Sequence, residues 1–364
     1  MEKERKRDMK KKLISLLLAL SVVSTALTGC GGGKKEQGGS DKKTEASKSE
    51  EDLTTLRVQS MPNFNGVLLS YIMDQGWAEE EGLNLDVELY ANGAAANEAL
   101  AAGLWDVGFQ GPAYVFGSVN NGAKIIGTSS DTGGDTLFVR EDSKILDVQG
   151  FNPTYPDVYG DPDTVKGTTI LFSAGTSLHQ LALEYLESLG ISAEEVSMVP
   201  MDYQTCEQTF QIGEGDIVAL PTPWSTAVTD KYGWQPIATL QDFSSTNTDV
   251  ICSKEAYEDM KPELIKFMKL CYRAADELEA DKDLKMKQIK KFYEENALEV
   301  TDKTVEEEAD LRIFITSDVQ KTMEYGKAEA DAADFYASIG QIEADQCETF
   351  KGNVVDDIWK AALE

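Results

Sequence analysis

From residue 55 onward, strand-length and helix-length apolar patterns alternate, and the alternation runs through the chain twice. Leu56-Arg57-Val58 reads as a short strand, followed by the loop Ser60–Gly66. Val67, Leu68, Tyr71 and Ile72 then share one helical face, with Gly76 as the stop. Leu85, Val87 and Leu89 alternate as a half-buried strand, Ala94–Ala102 is a small helix, and Val107-Gly108-Phe109 is a strand. Gly111-Pro112 breaks the chain before a helix to Asn120 and the strand Lys124–Thr128. The second pass begins with the strand Thr168–Phe172 and the turn Ser173–Ser177, whose Thr176 or Ser177 caps the next helix. Leu178, Leu181, Ala182, Tyr185, Leu186 and Leu189 stripe that helix. A strand near Val196–Val199, a helix from Thr205 and the strand Ile217–Leu220 complete it. Strands separated by helices in this way imply parallel α/β layers.

One local pattern occurs in both passes. Gly103-Leu104-Trp105-Asp106-Val107 leads to Pro112, and Gly213-Glu214-Gly215-Asp216-Ile217 leads to Pro221 and Pro223. Each is a glycine, an acid three residues later, an apolar strand and a proline-marked loop. The expectation is two similar lobes, residues 55–135 plus 246–364 forming the first and 136–245 the second. Thr136–Val139 and Val250–Cys252, short apolar strands at the joins, predict a double crossover or hinge. After Cys252 the pattern is helical over Pro262–Glu295, the Val305–Phe314 region, Gln320–Ile339 and Val354–Leu363, with these helices returning to the first lobe. Gly150–Asp163, rich in proline and aspartate, reads as a surface insertion.

Residues 1–29 read as an export leader: seven Lys/Arg within residues 3–12, then no charge from Leu13 to Gly29. Its end, Leu27-Thr28-Gly29-Cys30, resembles the bacterial lipobox, which implies cleavage before Cys30 and acylation of its sulfur. Several acyl chains make a stable anchor where one is marginal. Residues 31–52 hold Ala46 as their one apolar residue besides glycine, so residues 30–54 are expected to be a lipid-anchored flexible tether. Cleavage leaves 27 basic and 61 acidic side chains, a net charge of −34. That excess counts against nucleic-acid binding. One histidine, His179, excludes zinc sites built on several histidines, and no C-x-x-C pair occurs among the five cysteines. No cofactor is expected. Cys206, Cys252, Cys271 and Cys347 read as small core or surface residues with no assignable disulfide.

Several short stretches together resemble the solute-binding proteins of ABC importers, in the group that takes nitrate, sulfonates, taurine and thiamine-precursor pyrimidines. They are Gly66-Val67-Leu68, Gly76-Trp77, Glu81-Gly82-Leu83, Ala102–Gly108, Val165-Lys166-Gly167, Gly175-Thr176-Ser177, Gly215-Asp216 and Pro223-Trp224. The resemblance implies a two-lobe, type II periplasmic-binding-protein-like α/β fold with a ligand cleft between the lobes. It also implies partners: a small-molecule ligand, an ABC permease and its ATPase, with the membrane reached through the anchor alone and the protein a monomer.

The loops agree with that reading independently. Ligands of open α/β sheets sit beyond the carboxyl ends of strands, where helix N-termini present free N–H groups. Ser60–Gly66, Gln110–Tyr114, Thr128–Thr136, Ser173–His179, Asp202–Cys206 and Pro221–Thr226 occupy such positions. They supply small polar groups (Asn63, Asn65, Gln110, Ser129, Thr176, Ser177, Thr222) and aromatic faces (Phe64, Tyr114, Tyr203, Trp224). His179 reads as a cleft-edge hydrogen bonder or a solvated residue. An enzyme is the rival class, yet Ser177 and His179 are two apart at a helix start, a spacing that does not bring hydroxyl and imidazole together. No G-x-S-x-G, G-x-G-x-x-G or P-loop motif is present. A sensory lipoprotein of the same fold is a further alternative.

Family and sequence diverge on the ligand's charge. The resemblance favours an oxyanion, but the six segments, and Phe243–Asp249 beside them, contain no Lys or Arg, while Asp131, Asp135, Asp202 and Asp249 lie among them. A buried anion needs positive groups or several donors. The sequence therefore favours a small neutral or cationic ligand with a flat part held by Phe64, Tyr114 and Trp224. Asp131 or Asp135 would pair with an amine or ring N–H. An arginine entering from another segment, such as Arg140, would alter that balance.

Overall fold

The structure, a computed structural model, describes residues 53–244 and 246–364. The leader, Cys30 and the tether up to Asp52 lie outside the described residues. Thr54, assigned above to the tether, already opens the first strand.

The first pass yields β1 (Thr54–Ser60), α1 (Phe64–Gln75), α2 (Trp77–Glu80), β2 (Leu83–Leu89), α3 (Gly93–Ala101), β3 (Val107–Gln110), α4 (Tyr114–Asn121) and β4 (Lys124–Asp131). Then come β5 (Thr136–Val139), α5 (Pro162–Val165), β6 (Thr169–Phe172), α6 (Ser177–Ser188), β7 (Ser197–Pro200), α7 (Tyr203–Gln211), β8 (Ile217–Leu220), α8 (Trp224–Tyr232), β9 (Gln235–Thr239) and β10 (Asn247–Cys252). Two five-stranded sheets result, ordered β2-β1-β3-β10-β4 and β7-β6-β8-β5-β9. The orders are equivalent: three parallel strands, then an antiparallel strand, then the last. The antiparallel members are β10 and β5, each lying inside its sheet.

The repeated Gly-x-x-Asp pattern has a repeated structural reason. Asp106 donates its N–H to the Arg57 carbonyl and accepts the Arg57 N–H on its carboxylate, both at 2.9 Å. Asp216 makes the same pair of bonds with Thr169, both at 2.8 Å. The aspartate thus starts β3 and β8 by pairing with β1 and β6, and Gly103 and Gly213 turn the chain there at φ 66° and 94°. Positive φ at these turns favours glycine.

The remaining chain forms α9 (Lys254–Asp259), α10 (Lys261–Ala280), α11 (Lys282–Glu295), α12 (Asp302–Leu311), α13 (Ser317–Thr322), α14 (Lys327–Ser338), α15 (Ala344–Lys351) and α16 (Asp357–Ala362). The helix expected over Pro262–Glu295 is two helices. Asp281 is extended and caps Leu284 N–H, so the apolar stripe continues across a break. Extended Met323 and left-handed Gly326 likewise split the Gln320–Ile339 run. The helices pack on the first sheet in two apolar clusters, while a third cluster fills the second lobe. The Gly150–Asp163 segment is anchored to that last cluster by buried Val158 and by Tyr155, which lies edge-on to Phe243. The four described cysteines are free and buried.

Removing the Asp106 carboxylate strands the Arg57 N–H at a nearly buried site. Urea unfolding of Asp106→Ala should therefore show a loss of about 1–3 kcal/mol, and Asp216→Ala a smaller one because Asp216 is exposed. Equal losses would contradict the burial argument.

Candidate ligand cleft

The loops at the carboxyl ends of the two sheets meet. A Cβ placed on Gly93 would lie 1.9 Å from the Gly175 carbonyl oxygen, so the lobes touch backbone to backbone where only glycine fits. Gly111 lies against Ser177, with its Cβ position 3.7 Å from the Ser177 nitrogen. The Asn63 side chain reaches the Tyr203 hydroxyl, and Thr222 donates to Glu308 Oε1 at 2.5 Å. This is a two-lobed cleft in a closed arrangement.

Asp135 sits where the segments converge. It is 1% exposed, and the Ser177 hydroxyl donates to its Oδ2. Burial pushes its pKa up to about 6, Arg312 and Ser177 oppose the rise, and Asp131 adds to it. Asp131 is already committed: its Oδ1 accepts the Ile313 N–H at 3.0 Å and lies 3.4 Å from Arg312 Nε.

Arg312 brings a cation to these loops from outside the segments named from sequence. Its guanidinium, 4% exposed, enters from the end of α12 and donates to the Asp131 carbonyl at 2.7 Å and to Ser130 Oγ at 3.4 Å. It lies 4.9 Å from the Phe64 ring centroid, and its Nε has no hydrogen-bond partner. Arg140, the cation considered from sequence, is elsewhere: it holds the carbonyls of Phe210, Glu214 and Gly215 and lies 3.9 Å over the Phe210 ring. Glu308, one turn before Arg312, also escaped the loop reading. It is wholly buried, accepts from Thr222 and from the Tyr293 hydroxyl at 2.7 Å, and keeps Oε2 unpartnered. Burial raises its pKa against the pull of Thr222, Tyr293, Arg312 and Lys285. One signal was available: Val305, Glu308, Ala309 and Arg312 share a helical face, a charged pair on an apolar stripe.

The aromatic faces divide. Phe64 is fully buried, stacked on Phe314 at 4.1 Å, and Tyr114 is fully buried, stacked on Phe350 at 5.9 Å. Both rings are covered by residues of the C-terminal helical region. Tyr203 and Trp224 are buried in the second lobe's cluster, tilted together at 5.5 Å, and Tyr203 meets Asn63 of the first lobe. Burial and Asp135 hold the Tyr203 hydroxyl above the usual tyrosine range, against Asn63 and Arg312.

Apart from the reach of Asn63 to Tyr203, the other polar residues bond within their own lobes. Asn63 caps α1 through the Asn65 N–H at 3.2 Å. Asn65 donates to Thr248 Oγ1 at 3.4 Å and accepts from Ser130 at 3.0 Å, while Ser129 donates to the Thr248 carbonyl at 2.9 Å. These bonds tie α1 and β4 to the crossover strand β10. Gln110 donates to Asn97 at 3.3 Å. Thr176 begins α6 but donates its hydroxyl to Ser173 at 2.7 Å, so neither it nor Ser177 caps the helix by side chain. His179 stacks on Phe172 at 4.8 Å, and burial lowers its pKa to about 4, leaving a neutral ring at pH 7. Asn63, Asp131, Asp135, Ser177, Tyr203, Thr222 and Trp224 thus form one connected group around Arg312 and Glu308. Gln110, Tyr114, Ser129 and His179 do not join it. Among the described residues, no group of three or more His, Cys, Asp or Glu is placed to hold a metal.

Known proteins share this architecture. The alkanesulfonate-binding protein SsuA from Xanthomonas axonopodis pv. citri, bound to MOPS, matches with TM-score 0.61 at 18% identity, over 78% of this chain and 93% of that one. The nitrate-binding protein NrtA from Synechocystis matches with TM-score 0.69 at 11% identity, over 85% and 88%. These likenesses show the fold. A putative ABC transporter periplasmic binding protein of Brachyspira hyodysenteriae is 30% identical over 319 residues, covering 87% of this chain and 92% of the relative. Residues 62–283 match the family described as NMT1/THI5 like. The chain belongs to the NMT1/THI5-like family, as a non-enzymatic solute-binding component of an ABC import system.

Proposed function

We propose that this protein, anchored by lipid at Cys30 outside the cytoplasmic membrane, captures a small neutral or cationic ligand bearing an amine or ring N–H and delivers it to an ABC permease. The two lobes, residues 55–135 plus 246–364 and 136–245, close around that ligand. Asp135 carries the reading. It is a buried carboxyl with Ser177 as its donor, while the nearby Arg312 is matched by Asp131. Counting Glu308 and Glu279, four carboxyl groups face two cations, Arg312 and buried Lys285, and a further anion would add to the excess. A ligand N–H would complete Asp135, and a flat part would rest on Tyr203 and Trp224. A second reading has its own support. The Nε of Arg312, ion-paired with Asp131 at 3.4 Å but without a hydrogen bond, and the N-termini of α1 and α6 suit an oxyanion, the class named for SsuA and NrtA.

A thermal-shift screen of amines and nitrogen heterocycles against nitrate, alkyl sulfonates and taurine separates the two. Amine or heterocycle binding should weaken at least about tenfold in Asp135→Asn. Stabilisation by simple sulfonates, unchanged in that variant, would favour the oxyanion reading. Trp224→Ala should weaken the same ligands, and the core residue Trp234 offers no comparable face.

The pH dependence has a definite sign. The Asp135 pKa rises from 3.8 to about 6 on burial, so in the unliganded protein its ionisation lowers stability progressively between about pH 4 and 6. The Asp135 contribution, read as the melting temperature of the wild type minus that of Asp135→Asn, should fall over that window while amine affinity rises; His179, lowered to about 4, contributes with the opposite sign and cancels in that difference. For the anchor, mass spectrometry and detergent partitioning should show acyl groups on the wild type and none on Cys30→Ala. An unacylated wild type would end that part of the proposal.

A further inference from the structure

Gly93 is the first residue of α3, in the first lobe, and Gly175 lies in the loop between β6 and α6, in the second. Across the cleft, a Cβ built on Gly93 would sit 1.9 Å from the Gly175 carbonyl oxygen and 2.9 Å from its carbon. One built on Gly175 would sit 2.8 Å from the Ala94 nitrogen. The two glycines have different reasons to be glycine. Gly175 has φ 66°, in the left-handed region that disfavours a side chain whatever surrounds it. Gly93 lies outside that region and opens a helix already capped by Asn92, whose side chain accepts the Ala95 N–H at 2.9 Å. Alanine is the better helix former, so the backbone of α3 gives no reason for glycine there. The reason lies in what a side chain would meet: the Gly175 carbonyl across the cleft, and the Ala113 Cβ of its own lobe, 2.7 Å away. Gly111, two residues before Ala113, has room. Its Cβ position clears the Ser177 nitrogen by 3.7 Å and the Ser177 Oγ by 4.0 Å.

We propose that Gly93 is the stop that sets how far the lobes close: its missing Cβ lets the Gly175 carbonyl seat on the first turn of α3, and any side chain at that position holds the lobes ajar. The proposal rests on the reading that the two lobes close around a ligand. Carbon atoms in contact sit roughly 3.5 Å apart, so a methyl group on Gly93 calls for a further separation of more than about 1 Å. The obstacle is a backbone carbonyl, which cannot swing aside as a flexible side chain does. Both partners are held in place. Thr176, next to Gly175, donates its hydroxyl to the Ser173 carbonyl at 2.7 Å. On α3, Asn97 donates to the Ala113 carbonyl at 3.0 Å, and the Ala96 carbonyl accepts the Trp105 indole N–H at 2.8 Å. Relief therefore comes from moving one lobe against the other. The contact also suits the charges, since a carbonyl oxygen faces the positive end of a nine-residue helix. A stop made of backbone gives the closed form one defined depth, because no side-chain rotation alters it.

Disulfide trapping of the full chain tests this without a ligand. Gly111→Cys with Ser177→Cys places a cysteine pair across the same interface, close enough to bridge when the lobes are closed. A Cys30→Ala background leaves only the four buried native cysteines beside that pair. With Gly93 in place, oxidised glutathione should form the bridge, read as a mobility shift that dithiothreitol reverses. Adding Gly93→Ala should slow bridging about tenfold, as the closed population falls by that factor. The slowing should persist when Ala113→Gly is added to remove the contact within the first lobe, in a variant whose thermal melt verifies that it is folded. Bridging unchanged in Gly93→Ala, or restored by Ala113→Gly, overturns the stop and leaves lobe closure standing. No bridging with Gly93 in place overturns the closure reading and the stop together.

Discussion

β5 and β10 each run antiparallel through the interior of a sheet, with a neighbour on both sides. Neither can slide or detach without splitting its sheet, so the chain crosses between the two halves at two fixed points. The first link, from the end of β4 to the start of β5, is Thr132–Asp135; the second, from β9 to β10, includes Thr246. The links lie side by side, joined by the Thr132 hydroxyl to the Thr246 carbonyl at 2.8 Å and hydroxyl to hydroxyl at 2.7 Å. The cleft's central carboxylate therefore belongs to the crossover itself. Whatever binds Asp135 acts on the element about which the lobes would turn.

The electrostatics follow from that placement. A carboxyl at the junction is buried in this closed arrangement, and burial raises its pKa more than Arg312 and Ser177 lower it. Arg312 offsets part of the cost but is shared with Asp131, and Glu308 adds a second buried acid on the same helix as Arg312. The closed cleft thus has an appetite for a proton, a cation or an N–H donor. The C-terminal helical region completes this chemistry: it supplies Arg312 and Glu308, covers Phe64 with Phe314, and sets Leu298 between the lobes.

What was legible in the sequence was local. Gly103–Asp106 and Gly213–Asp216 foretold two equivalent sheets because each aspartate pairs with a neighbouring strand through its own backbone and side chain. The apolar runs Thr136–Val139 and Val250–Cys252 were readable as crossover strands, although β10 begins earlier and includes the buried Asp249. The site was legible only on its loop side. Asp135, Ser177, Tyr203 and Thr222 follow strands and could be placed from the βα pattern. Phe64 and Tyr114 follow strands too, but Phe314 and Phe350 cover them from more than 200 positions away, and no periodicity reports such a contact. Arg312 and Glu308 were hidden for a related reason. The end of a helix outside the βα pattern gives no hint that it faces a cleft, except for two charges on a buried stripe.

Small-angle scattering of the protein, titrated with the tightest ligand found among amines and heterocycles, tests the coupling of Asp135 to closure most directly. The account predicts a radius of gyration that falls on saturation in the wild type and stays near its unliganded value in Asp135→Asn at the same ligand concentration. An unchanged radius in a wild-type protein shown by calorimetry to be saturated would contradict it.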